Sequence, residues 1–357
     1  MKILAWMLTR MVLVRFFAIL LGISLFVLTL EIVAYAKEIM AVGHGSFGFL
    51  FHYAVMRAPA MLAVFLPMSL LLAMLLTITE MSYRNELTAI WGAGVSPLRI
   101  VTMLLPVAII TGGLLFLLNN YAAPAAAPTL RAWGIADYAD KKVQLGENDP
   151  IWMRAGNDIL RAAGANADAT LLEDLVIFRR DDNGILHEQI FAKTARLEGD
   201  RWNLAAVTIY TRDNLPPNRL AAMIYSGAMK PAAAGARAGD PEEMTLSDLS
   251  YFISNSGFGV RPVWVYQTWW HKRLTAFLTT IAMIALCIPL ASHFRRGGGI
   301  GVLFAVGVGL GFIYFVIDGI ALSVGELGFV SPWLAAWMPT LVFALLAVAM
   351  SLRAERV

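Results

Sequence analysis

The sequence predicts a polytopic α-helical membrane protein: six transmembrane helices, three plus three, with a β domain inserted between the two sets. Two observations carry this. Six apolar runs lie near Met11–Ala34, Pro59–Ile78, Pro97–Leu118, Leu274–Ala291, Ile300–Ala321 and Pro332–Leu352. A helix that crosses a hydrocarbon core of roughly 30 Å needs about 20 mostly apolar residues. Composition agrees: 59% of residues are hydrophobic and 15% charged, where a soluble chain averages about 25% charged. The chain therefore divides into a membrane part, 1–118, a polar insert, 119–266, and a second membrane part, 267–357.

The charges follow the same division. Of 53 charged side chains, 33 lie in 119–266, 15 basic and 18 acidic. The membrane parts hold 13 basic and 7 acidic residues, so the net charge of +3 sums an acidic insert and a basic membrane region. No basic stripe or base-stacking motif accompanies it, which argues against a nucleic-acid partner.

Span one begins among Lys2, Arg10 and Arg15, with Arg15 placed to snorkel to the interface. A cleaved signal peptide would need a small-residue site after the apolar run. Ile32–Ala36 instead extends that run past Glu31, so a retained span is expected. Arg84 and Arg99 flank the loop between spans two and three, Arg295 and Arg296 lie between spans four and five, and Arg353 and Arg356 follow span six. With six spans these share one side, and the positive-inside rule puts both termini in the cytoplasm. The insert then lies outside, in the periplasm if the cell is Gram-negative. Trp264, Trp269, Trp270, Trp333 and Trp337 fall where spans four and six meet the outer interface.

The loop after span two reads as a short helix of about 82–92. Ser82 is its expected cap, Gly92 and Gly94 its stop, and Pro97 the start of span three. Leu87, Ile90 and Trp91 share one face, with Glu86 beside them. An acid next to an apolar stripe suits docking into a groove of a cytoplasmic partner; the alternative is a helix resting on lipid.

The insert reads as β structure: Ile151–Arg154, Asp158–Ala162, Leu172–Arg179, Gly184–Ala192, Thr194–Leu197 and Asn203–Arg212 are short and apolar or β-branched. Asp182-Asn183-Gly184 and Glu198-Gly199-Asp200 are hairpin signals. Their loose alternation suggests a sandwich or jelly roll, with a mixed α/β domain as the alternative. Pro231–Pro241 reads as a loop, and Thr245 to Asp248 as a capping box that opens a short helix towards span four.

In span five, Gly307, Gly309 and Gly311 include a small-xxx-small spacing that permits close helix approach. Their role is packing or a lateral gate. Asp318, near the outer end, is costly if unpaired, so a structural hydrogen bond is expected rather than proton coupling. Cys287 is the single cysteine, which excludes an intramolecular disulfide. The five histidines show no metal-ligand spacing, and no phosphate loop, zinc motif or nucleophile motif occurs. No catalytic site, metal or cofactor of this chain's own is expected.

Glu86-Leu-Thr88 followed by Gly92-Ala-Gly94-Val-Ser96 resembles the coupling-helix segment of the LptF/LptG family, permeases of the lipopolysaccharide-export ABC transporter. Phe65-Leu-Pro67, the Leu70–Leu76 run, Gly311-Phe-Ile-Tyr-Phe-Val-Ile-Asp318 and Trp337-Met-Pro339 resemble the same family. Gly45-Ser-Phe47 and the span-five motif look more like its LptG branch. The resemblance implies a permease that takes lipopolysaccharide from the outer leaflet of the inner membrane and passes it to a periplasmic bridge. It also implies a β-jellyroll insert, a second permease of the family, bridge proteins with related jellyrolls, and a cytoplasmic ATPase dimer that binds ATP and magnesium. Glu86, with Arg84 and the Leu87, Ile90 and Trp91 face, would contact the ATPase. Arg131 and Lys37 would contact substrate, although the outer end of span one keeps only Lys37 beside Glu38 where LptG-like members carry several basic residues. A solvated surface charge is the other reading of Arg131.

Two other classes stay open on the residues alone: a membrane-anchored periplasmic scaffold or sensor, and a permease for another lipid. A secondary transporter should show polar residues at mid-membrane, and these spans are almost wholly apolar there.

Overall fold

The computed structural model describes residues 2–139, 151–165, 170–181, 184–199, 201–211, 216–226, 240–254, 261–293 and 300–355. It divides into two compact units: 1–123 with 268–357, and 124–267.

The first unit is helical. In order it contains α1 (Lys2–Ala34), α2 (Ala36–Val42), α3 (Phe47–Tyr83), α4 (Glu86–Gly92), α5 (Pro97–Met103) and α6 (Leu105–Leu117). A π turn at Leu118–Ala122 leads into α7 (Ala123–Trp133). Among the described residues, five helices are long and apolar enough to span a bilayer: Ile3–Ala34, Phe47–Tyr83, Leu105–Trp133, Ala305–Glu326 and Pro332–Arg353. The expected fourth span is the shorter helix that follows Thr275, where the chain breaks between two helices; Thr275 turns its hydroxyl back to the Lys272 carbonyl at 2.8 Å. The Arg295–Arg296 pair and Arg356, used above for orientation, lie outside the described residues.

The bundle core is continuous, running from Leu8, Val12 and Phe16 of α1 through Leu66, Leu70 and Met74 of α3 to Cys287 and Phe343. Leu21, Leu25, Phe26, Phe312, Phe315 and Ile320 point outward and are exposed, as the lipid-facing side of spanning helices requires.

Among its described residues the second unit carries seven antiparallel strands: β1 (Ile151–Ala155), β2 (Asp158–Ala162), β3 (Gly164–Ala165), β4 (Leu171–Arg180), β5 (Leu186–Glu198), β6 (Arg201–Thr211) and β7 (Asn218–Tyr225). The order is β1-β2-β4-β5-β6-β7, with β3 on β4. The sequence reading divided β5 at Lys193 and missed β7, whose exposed side chains lack an alternating pattern.

Hydrogen bonding makes this one sheet, yet it is folded over. The pairings Glu173 to Thr194, Thr194 to Ala205 and Ala205 to Ala222 resume at Leu175 to Ala192, Ala192 to Val207 and Val207 to Leu220, stepping over the row Asp174, Lys193, Ala206. Asp174 and Ala206 take positive φ, 45° and 53°. Along a regular strand the inward residues keep one parity. Here the parity switches at that row: Leu172 gives way to Leu175 and Ile177, Ala195 to Ala192 and Ile190, and Trp202 and Leu204 to Val207, all buried in one core. The long strands bend there, and both arms enclose the same apolar interior. The two layers expected of a sandwich or jelly roll are thus the two arms of one bent sheet, as when strands turn a corner by a bend or bulge.

Three further helices complete the picture in sequence order: α8 (Leu246–Ser254), α9 (Val263–Leu274) and α10 (Ala276–His293). The last two spans are α11 (Ile300–Glu326) and α12 (Pro332–Glu355). The capping box of α8 forms as the sequence suggested. Thr245 Oγ1 donates to Asp248 Oδ2 at 2.6 Å and accepts from the Asp248 backbone N–H at 3.2 Å.

Candidate functional site

The loop after α3 departs from the sequence reading at its start. Ser82 does not cap α4, because α3 runs on to Tyr83. The break falls at Asn85, in the left-handed region with φ 58°, and α4 spans Glu86–Gly92. Asn is among the few residues that accept this conformation readily. Ser96 caps α5, its hydroxyl accepting from the Arg99 N–H at 3.4 Å, with Pro97 at the first turn.

Helix α4 turns its apolar side inward. Leu87 is buried, and Ile90 and Trp91 pack on the bundle core. With Leu8, Val12, Met81, Ile100 and Leu104, Leu87 and Ile90 enclose a crevice at this end of the bundle. The stripe read as a docking surface is therefore occupied within the chain. The face left open carries Thr88, Ala89 and Gly92, with Glu86 half-buried at its edge and exposed Arg84 at the end of α3 just before it. Arg84 pairs with Glu80 at 2.7 Å, and Glu80 also accepts from Arg15 of α1. Glu80 thus ties α1 to the last turn of α3, directly before the Asn85 hinge.

At the far end of α1, Glu31 accepts from the Tyr53 hydroxyl at 2.6 Å and from Arg57 Nε at 2.9 Å. Both partners lie on α3 and all three side chains are largely buried. Lys37 and Glu38 on α2 are exposed. Arg131 lies in the other unit. Its Nε and Nη2 both donate to Glu243, at 2.9 and 2.6 Å, and the pair is almost wholly buried. This bond fastens the end of α7 to the 3-10 turn Pro241–Glu243 that precedes α8.

Gly307 and Gly311 face α3. A Cβ on Gly307 would overlap Leu75 Cδ1, and one on Gly311 would touch Leu71 Cδ2 at 3.6 Å. The two glycines let α11 lie close against α3 inside the chain's own bundle. Asp318 accepts from Lys272 Nζ. Above it Trp269 Nε1 donates to Glu326 at 2.6 Å, and below it the hydroxyls of Thr279, Tyr314 and Thr340 lie 3.2 to 3.3 Å from one another. The residues 269, 272 and 279 meet 326, 318 and 314, a polar seam with antiparallel register. Sequence reasoning found Asp318 but not the seam, since its paired residues lie 26 to 61 residues apart.

No group of three or more metal-ligating side chains occurs among the described residues. What the unit offers is mechanical: a short helix clamped to the bundle, a hinge before it, and polar ties that lock selected helix pairs.

Comparison with known proteins bears on what such a machine moves. The model of the family "Lipopolysaccharide export system permease LptF/LptG" matches residues 6–353. The LptG permease protein of Escherichia coli (strain K12) is 21% identical over 346 residues, 95% of each chain. The LptG permease protein of Haemophilus influenzae (strain Rd) is 20% identical over 322 residues, 87% of this chain and 88% of that one. With spanning helices on either side of an antiparallel β unit, and a family match over nearly its whole length, this chain belongs to the LptF/LptG family of lipopolysaccharide export permeases.

Proposed function

We propose that this chain is a transmembrane permease subunit of an ABC transporter that extracts lipopolysaccharide from the outer leaflet of the inner membrane. It passes the lipid to a periplasmic bridge towards the outer membrane. The observation that carries the reading is the family match over residues 6–353. The relatives named LptG favour that branch.

In this reading both termini and α4 lie in the cytoplasm and the β unit in the periplasm. A separate ATPase dimer binds ATP and magnesium, and closes against the open face of α4 at Glu86 and Arg84. Leu87, Ile90 and Trp91 then transmit the push, because they are packed into the bundle rather than offered to the partner. A second permease of the family completes the substrate cavity, and bridge proteins with related β domains receive the lipid. Exposed Lys37 meets the head group. Arg131, with two donors on Glu243, holds the domain edge and reaches substrate only if Glu243 releases it.

The test is Glu86→Lys in the full complex. Charge reversal at a hydrogen-bonded contact weakens binding by two or more kcal/mol, so co-purification with the ATPase should fall at least about tenfold while the permease stays folded. Normal recovery of the ATPase with this variant would remove the coupling role.

A further inference from the structure

The α1–α3 pair leaves a lateral groove of about 490 Å³ at its α4 end, lined by Arg15, Ile19, Leu76, Thr79 and Tyr83 among others. Its walls are mostly apolar, and its charged end carries Arg15 and Glu80, with Arg84 outside the lining on the same carboxylate. Two guanidinium groups, Arg15 and Arg84, converge on the single carboxylate of Glu80. Arg15 Nη1 and Thr79 Oγ1 are buried there without a hydrogen-bond partner. An unsatisfied buried donor is costly, and an arginine with one nitrogen engaged and one unused is arranged to grip a second anion.

Depth selects the anion. At 1.5 Å rise per residue, Arg15 lies about 28 Å along α1 from its last residue, Ala34, close to the roughly 30 Å of hydrocarbon between two head-group layers. If Ala34 marks one membrane interface, Arg15 marks the other. A free anion would gain nothing from Ile19, Leu76 and Tyr83, whereas a lipid fits both halves of the groove.

We propose that this groove binds an anionic phospholipid from the leaflet on the α4 side. The phosphate takes a charge-assisted hydrogen bond from the Arg15 guanidinium, whose side chain keeps a quarter of its surface exposed, and a small outward turn of that arginine opens Nη1 and the Thr79 hydroxyl behind it to the same phosphate. The upper acyl carbons run along Ile19 and Leu76. Because Glu80 accepts from both Arg15 and Arg84, and Asn85 follows at once, the bound lipid would set the posture of the hinge that carries α4.

The site does not depend on what the permease exports, so its test is separate from the Glu86 experiment. The full-length chain in its purified complex is exchanged into detergent, titrated with phosphatidylglycerol or phosphatidylcholine, and read by native mass spectrometry. We expect one strongly retained phosphatidylglycerol and about tenfold weaker retention in Arg15→Gln, the scale of one lost charged hydrogen bond. Thr79→Val, nearly isosteric, should weaken retention several-fold and carries the test if Arg15→Gln fails to fold. Equal retention of the two lipids, or unchanged phosphatidylglycerol in folded variants, would overturn the proposal. So would displacement of the lipid by millimolar inorganic phosphate, which would mark a simple anion site.

Discussion

Tyr225 lies on β7 and Asp158 on β2, with β4, β5 and β6 between them in the sheet, yet the Tyr225 hydroxyl donates to Asp158 Oδ2 at 2.9 Å. Only a sheet folded over its own core brings these corners together. Arg179, bonded to Glu188 at 3.0 Å, stands beside Asp158. Burial, and after it the Asp158 carboxylate, push the Tyr225 phenol well above its usual range. The sign of the resulting pH effect is fixed. Above about pH 10 the unfolded phenol loses its proton while the folded one keeps it, so the unfolded state binds fewer protons and stability falls as pH rises. Denaturation of the β unit should therefore show an alkaline loss of stability that Tyr225→Phe flattens. A profile identical in the two proteins would mean that the hydroxyl contributes nothing. None of this was visible in the sequence, because Tyr225 and Asp158 are 67 residues apart. Arg131 was visible as a basic residue, but its partner Glu243, 112 residues on, was not. Local chemistry was easier: the Thr245–Asp248 capping box needed only three residues of context. Ser82 failed as a cap because Met81 is buried and keeps α3 helical through that position, so tertiary packing overrode a weak local preference.

Among the elements, the bent strands teach most. The sequence reading cut β5 between Ala192 and Thr194, at Lys193, and the apolar alternation slips at that point. That slip is real. It marks the row where inward parity switches, and the adjacent exposed pairs Glu173–Asp174 and Ala205–Ala206 repeat it on the neighbouring strands. The pattern located the bend, but it could not say that backbone pairing continues through it, since side-chain periodicity carries no direct record of hydrogen bonding. Ala206 takes a left-handed conformation with φ 53°, which costs a non-glycine residue about 1–2 kcal/mol. Ala206→Gly should remove most of that strain against a glycine entropy cost of about 0.5–1 kcal/mol. The β unit should gain up to about 1 kcal/mol, read as slower hydrogen exchange along β5 and β6. Slower exchange in wild type than in the variant would show that the bend is not strained. Helix α4 makes the complementary point. Its helical periodicity was legible, but whether an apolar face turns to a partner or to its own bundle is decided by neighbours far away in sequence, Leu8 and Leu104 among them.

For the whole molecule, the order of spans and insert was legible because bilayer thickness imposes a length on every crossing helix. How the two sets of helices meet was not. The junction depends on Gly307, where Leu75 of α3 occupies the space a side chain would need. Gly307→Val must displace the Leu75 side chain or push α11 away from α3. We expect a loss of about 1–3 kcal/mol, the usual range for overpacking, seen as a lower unfolding temperature of the purified chain in detergent. An unchanged temperature would mean that the helices slide apart without penalty.

The polar seam along α11 also bears on how the chain enters the bilayer. Alone, α11 would carry Asp318 and Glu326 unpaired towards its outer end, where an acid costs less than the about 2.5–3.5 kcal/mol of a helix centre but is still unfavourable. Their donors Lys272 and Trp269 precede them in the chain and so are synthesised first. The order in which these residues are encoded thus matches the order in which the membrane needs them, and α11 depends on the helices made just before it to settle into place.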